Sequence, residues 1–180
     1  MFESIKNFFR RRKIRHLSKA IPTGLLPLSD ISTVNVVIDV EEAEWDILKE
    51  DILSWSRTTG VKLGLYFFDF RKLAKDELLL TSIQTTVARK DLNWIGIPDY
   101  NTVAGLIEEP CDLFISLIDN GDSPIDFVSK CSCARFKIGR KAYPGHVYDL
   151  IYSGKSVAGL RTGGREVFAG IVEFLEKISA

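Results

Sequence analysis

Asp39, Asp69 and Asp119 each fall where a run of apolar, mostly β-branched or aromatic residues ends, and Asn120 and Asp122 follow the third directly. In open α/β sheets, ligands bind in the crevice beyond the carboxyl ends of the strands. Carboxylates converging there suit Mg²⁺ held against a phosphate, because that ion takes oxygen ligands and keeps several waters. Asp and Asn are also the residues that cap helices and form turns at strand-to-helix junctions, so the same positions have a plainer structural role. Mg²⁺ enters only under the first of these roles, and the sequence implies no other cofactor.

Three further segments carry chemistry of some kind. Lys90–Pro98 mixes charge, amide and indole, and Asn93 and Trp94 are its candidate ligand-facing residues. The structural alternative puts Trp94 into the core and Asn93 onto backbone groups of a rigid turn. Thr162-Gly163-Gly164-Arg165 opens the last helix, where free N–H groups favour anions, but it has neither a Walker nor a G-x-G-x-x-G spacing and reads as a connector. Cys131 and Cys133 are not spaced as C-x-x-C, and Cys111 sits in an apolar run where a thiol packs as a small hydrophobe. With His16 and His146 the only histidines, the chain lacks a plausible zinc set or a Ser-His or Cys-His pair. No catalytic residue is assigned.

Charge is unevenly spread. Residues 1–20 hold Lys6, Arg10, Arg11, Arg12, Lys13, Arg15 and Lys19 against Glu3, a net of +6, and the neutral chain therefore carries −6 elsewhere. Such an arm fits phosphates of nucleic acid, or an anionic membrane surface into which Phe2, Ile5, Phe8 and Phe9 dip. It also fits a solvated helix lying on the acidic body.

Positioning these groups falls to a single domain. The length of 180 residues is typical of one, and 46% hydrophobic with 27% charged residues argues against disorder. Residues 1–21 read as a basic helix or arm without one continuous apolar stripe, since Phe2, Ile5 and Phe9 share a face that Ile14 and Leu17 do not. Pro22, Gly24 and Pro27 make 22–32 a linker. From 33 to 180 strands and helices alternate. Residues 33–40, 61–68 and 111–118 are expected as adjacent or near-adjacent, doubly buried strands. Helices are predicted over 42–59, with Gly60 as its left-handed cap, from Asn101 to Pro110, from Asp122 to Ser132, and over 164–178. A helix near 72–80, and strands near 83–88, 136–138 and 147–152, complete the pattern. The fold class expected is an α/β three-layer sandwich with a mostly parallel, Rossmann-like or flavodoxin-like sheet. No run of roughly 18 apolar residues predicts a membrane span, and the N-terminus lacks a signal-peptide pattern. A cytoplasmic location is the expectation, and the oligomeric state is left open.

Lys90-Asp91-Leu92-Asn93-Trp94, Gly96 and Pro98, followed by Cys111–Leu117, Pro124 and Cys133-Ala134-Arg135-Phe136-Lys137-Ile138-Gly139, resemble a family of Bacteroidota proteins of unknown function. Its pattern runs K-D-L-N-W-x-G-x-P, F-D-I-L-I-D-L-S, F-P-L, A-K-F-K-V-G. Ser116 stands where that family often has Asp. The resemblance implies no reaction. A fainter likeness links Asp112–Ile118 and Ala134–Gly139 to the N-terminal half of heptosyltransferase-type glycosyltransferases, and fold-level analogy of this kind carries no function. The leading expectation is a non-enzymatic binding module whose basic arm contacts an anionic partner. The alternative is a small phosphate-ligand enzyme or nucleotide-sugar-binding domain using the strand-end carboxylates.

Overall fold

Val34, Val36 and Ile38 turn to one side of the first strand and Asn35 and Val37 to the other, and all five are buried. Such a strand needs cover on both faces. The computed structural model describes residues 2–72, 81–82, 85–120, 123–154 and 162–178. In chain order these form α1 (Phe2–Leu17), β1 (Thr33–Asp39), α2 (Trp45–Thr59), β2 (Lys62–Asp69), β3 (Thr86–Ala88) and α3 (Tyr100–Ile107), then β4 (Cys111–Ser116), α4 (Ser123–Cys131), β5 (Ala134–Gly139), β6 (Leu150–Ile151) and α5 (Gly164–Lys177).

The sheet runs β3-β2-β1-β4-β5-β6, and every neighbouring pair is parallel. This is the doubly wound 3-2-1-4-5-6 order rather than the flavodoxin-like 2-1-3-4-5, so the strand order reverses between β1 and β4. Leu48, Ile52 and Trp55 of α2 and Val167, Phe168, Ile171 and Leu175 of α5 cover one face. Val103 and Leu106 of α3 with Phe127 and Val128 of α4 cover the other. Of the strands expected to be neighbouring and buried, β2, β1 and β4 are adjacent, with β1 and β4 buried along most of their length and β2 only half-buried before Phe67. The chain is an α/β sandwich as its pattern implies.

Local departures have local causes. The helix expected from Glu42 starts at Trp45, because Glu41–Glu44 form the turn and Glu44 takes a left-handed conformation with φ 59°. The helix expected from Asn101 begins one residue earlier, at Tyr100, with Asp99 as its cap: the Asp99 side chain accepts the Asn101 N–H at 2.9 Å. The predicted helix near 72–80 lies almost wholly outside the described residues, as do residues 83 and 84 of the 83–88 segment, and among its described residues Thr86–Ala88 form the strand. The 147–152 strand narrows to Leu150–Ile151, whereas the 136–138 strand lengthens to Ala134–Gly139. Gly60, at φ 75°, is the left-handed cap that its position required.

The N-terminal helix ends at Leu17, short of Ile21, and lies along α4 with Ile14 and Leu17 against the α3/α4 core. After it, Leu25, Leu26 and Leu28 pack on the opposite core, so the linker crosses from one layer to the other. Asp112 fixes its end by accepting the Ser32 and Thr33 N–H groups, each at 2.9 Å.

Candidate functional site

Reversal of strand order opens a crevice beyond β1 and β4. Its wall is made by Asp39, Glu41, Glu42, Glu44, Asp119, Asn120, Arg140, Thr162 and Gly163, around a volume of about 480 Å³. Three of the residues singled out in the sequence meet here. Asp39 accepts the Asn120 side-chain amide at 3.1 Å through one oxygen and the Glu41 N–H at 2.8 Å through the other. Asp119 lies 3.8 Å from the Arg140 guanidinium.

The centre of this crevice is occupied from within. Arg140, directly after β5 and only 5% exposed, donates to both Glu42 oxygens at 2.8 and 2.7 Å and to the Leu117 carbonyl at 3.0 Å. It also donates to the Thr162 carbonyl. Glu42 in turn accepts the Gly164 N–H at 2.7 Å. The N-terminus of a helix such as α5 offers free N–H groups to an anion such as a phosphate. Here a protein carboxylate takes that place and its charge is matched by a buried guanidinium.

Asp69 is elsewhere. It is buried at the end of β2 and is not part of the crevice wall; Arg71 grips it with Nε at 2.8 Å and Nη2 at 2.7 Å. Those hydrogen bonds hold its carboxyl below the ordinary range. Asp122 lies outside the described residues. Among the described residues, no three Asp, Glu, His or Cys side chains are placed to hold a metal ion.

A second site is built from the arm and the 90–98 segment together. Asp91 accepts the Ala88 N–H at 2.8 Å, and Leu92 and Pro98 bridge antiparallel. Asn93 accepts the Ile95 and Ile97 N–H groups at 3.0 and 3.2 Å, and Gly96 takes φ 73°. Each of these polar residues closes part of a tight loop. The loop buries Ile95 and Ile97 in the core and leaves Trp94 outside, 59% exposed. Asn93 therefore has the structural role considered for it, whereas the expectation that Trp94 plugs the core is corrected, because alternation along the loop sends the two isoleucines inward instead.

Helix α1 lies beside this loop. Arg10 donates its Nε hydrogen to the Ile95 carbonyl, and the Phe9 ring meets Trp94 edge to face at a centroid distance of 5.7 Å. Phe9, Arg12, Lys13, Arg15, His16, Asn93, Trp94 and Ile95 line an open groove of about 880 Å³. Lys6 and Arg10 lie near Glu3, at 3.3 and 3.8 Å, whereas Arg11, Arg12 and Arg15 have no acidic partner among the described residues. The groove thus sets cations around an exposed aromatic pair, which suits an anion carrying apolar or aromatic parts.

The remaining reactive groups are not arranged for chemistry. All three thiols are buried; desolvation pushes Cys111 up to about 11 and Cys131 up to about 12, so both are protonated at neutral pH. His146 is exposed in a left-handed turn with φ 49°. Sequence reasoning did not pick out Glu42, Arg140 or His16 as site residues, and it named Phe9 only among the apolar groups of the arm that could enter a membrane surface. Arg140 had one available signal, its place just past a predicted strand; Phe9 and His16 join the groove through the contact with Trp94, which spacing does not show.

The family comparison matches residues 6–156 to a family of unknown function, DUF6913. That span contains every groove residue and the crevice residues up to Arg140, and α5 lies beyond it. No curated protein and no solved structure matches the chain. The chain belongs to the DUF6913 family.

Proposed function

We propose that this member of a family of unknown function is a non-enzymatic binding module that engages an anionic partner through α1 and the 93–95 loop. The observation that carries the reading is the Phe9–Trp94 contact. It joins the most basic stretch of the sequence to the most exposed indole, in a groove lined by Arg12, Lys13 and Arg15. The body supplies a rigid mount, because Ile14 and Leu17 are anchored in the α3/α4 core.

That anchoring also decides the experiment, since removing the arm would strip apolar cover from the body. The full-length protein is instead compared with the triple variant Arg11→Gln, Arg12→Gln, Arg15→Gln, using single-stranded RNA as a polyanion probe over a range of salt. Binding is expected to weaken with salt, and the log–log slope of the variant should be shallower by about 2, or roughly 0.7 for each phosphate that is no longer neutralised. An unchanged slope and affinity would exclude the arm as the site.

The second reading is a phosphate-ligand or nucleotide-sugar enzyme using the crevice at the strand-order reversal. The meeting of Asp39, Asp119 and Asn120 favours it. Glu42 at the α5 N-terminus and Arg71 on Asp69 weigh against it, because an incoming phosphate would meet a carboxylate and Mg²⁺ would lose one of its three proposed ligands.

A further inference from the structure

We infer that the anionic partner is the surface of a phospholipid bilayer, with α1 lying in the headgroup layer and Trp94 inserted beside it. This rests on the reading that the arm binds an anion and names which anion.

Nine large hydrophobic side chains are exposed among the described residues, and five of them belong to this one patch: Phe2 at 66%, Ile5 at 46%, Phe8 at 63%, Phe9 at 41% and Trp94 at 59%. Ile14 and Leu17, on a different side of the helix, are the ones used to hold the body. Apolar groups scattered singly over a surface need no explanation, but a cluster rimmed by cations does. The helix is also segregated along its axis. Its exposed apolar residues fall between positions 2 and 9, and Arg10–Lys13 and Arg15 follow. At 1.5 Å rise per residue, each half extends about 8–10 Å. A helix of low mean hydropathy whose exposed aromatic groups are flanked by arginines is too polar to span a bilayer and suits its interface. In keeping with that, no described helix is long and apolar enough to cross a membrane.

Nucleic acid would use the cations and could stack on Phe9 and Trp94. It offers nothing to Ile5, which has no ring, and leaves Phe2 and Phe8 in water. A bilayer interface satisfies all five apolar groups and the arginines together. The charge distribution fits as well: a +6 arm on a −6 body orients the arm toward a negative surface and keeps the rest of the molecule away from it.

The test uses the full chain with vesicles of phosphatidylcholine, with and without phosphatidylserine, and the single-stranded RNA probe in parallel. Trp55 is buried and Trp45 packs on the core, so emission from an exposed indole belongs to Trp94. Binding to the serine-containing vesicles is expected to be about tenfold or more tighter than to neutral ones. It should be accompanied by a blue shift and by quenching from brominated lipid, and both should vanish in Trp94→Phe. Phe2→Ser with Phe8→Ser, both exposed positions, should weaken vesicle binding at least about tenfold while leaving RNA binding unchanged. Vesicle binding that is absent, insensitive to this double variant or unquenched by brominated lipid overturns the inference. RNA binding or concentration-dependent self-association appearing in its place does so as well. If RNA binding persists and depends on the arginines, the broader reading of the arm stands without the membrane; if no polyanion binds, both fall.

Discussion

Glu42 and Arg140, 98 residues apart in sequence, meet with the guanidinium touching both carboxylate oxygens at 2.8 and 2.7 Å. The same carboxylate accepts the first N–H of α5 at 2.7 Å. One side chain therefore closes the crevice at the strand-order reversal, caps a helix and neutralises a buried cation.

Loss of that carboxylate leaves Arg140 charged and buried, and the α5 N-terminus uncapped. Glu42→Ala is expected to destabilise the fold by about 1–3 kcal/mol, less than breaking a fully buried pair, because Asp119 and the Leu117 and Thr162 carbonyls still face Arg140. Urea unfolding measures it. A loss under about 1 kcal/mol would show that solvent reaches the pair freely, as it does at surface ion pairs.

Asp69 gives a pH dependence with a definite sign. Its carboxyl is held below the ordinary range by the Arg71 hydrogen bonds. A depressed folded-state value means that its contribution is fully present above the unfolded value, about 3.9, and is lost as pH falls through the folded one. Asp69→Asn should therefore be less stable than the wild type at pH 7, with the gap shrinking as pH is lowered below about 4. Unfolding curves at several pH values decide this, and a gap independent of pH would mean that the ion pair contributes nothing.

Cys111, Cys131 and Cys133 should be inert in the folded protein, because all are buried and burial raises the first two to about 11 and about 12. A thiol reagent at neutral pH is expected to label none of them until denaturant is added. Rapid stoichiometric labelling of the native protein would show a thiol placed at the surface.

The layers of this fold were legible because burial on two faces writes itself into β1 and β4 as nearly unbroken apolar runs, and into α2 as Leu48, Ile52 and Trp55 at helical spacing. The strand order was not legible to that degree. Alternating strands and helices suit both doubly wound orders, and only the pairing of β1 with both β2 and β4 selects one. Among the site residues, Asp39, Asp119 and Asn120 were found because strand ends in such sheets converge. Asp69 was misplaced with them, since nothing local announces that Arg71 folds back on it. The basic run was plain from composition, but its meeting with Trp94 depends on a tertiary contact across 85 residues, the same separation that joins Arg10 to Ile95.

The most direct test of the central claim is to ask where on the molecule an anion binds. Backbone amide chemical shifts of the isotopically labelled full-length protein are followed as short-chain polyphosphate is added at low salt. The shifts are expected to concentrate at Phe9, Arg12, Lys13, Arg15, His16 and residues 93–95, which line the basic groove. Shifts confined instead to Asp39, Asp119, Asn120, Arg140 and Gly163 would place the anion in the crevice and contradict the assignment of the arm.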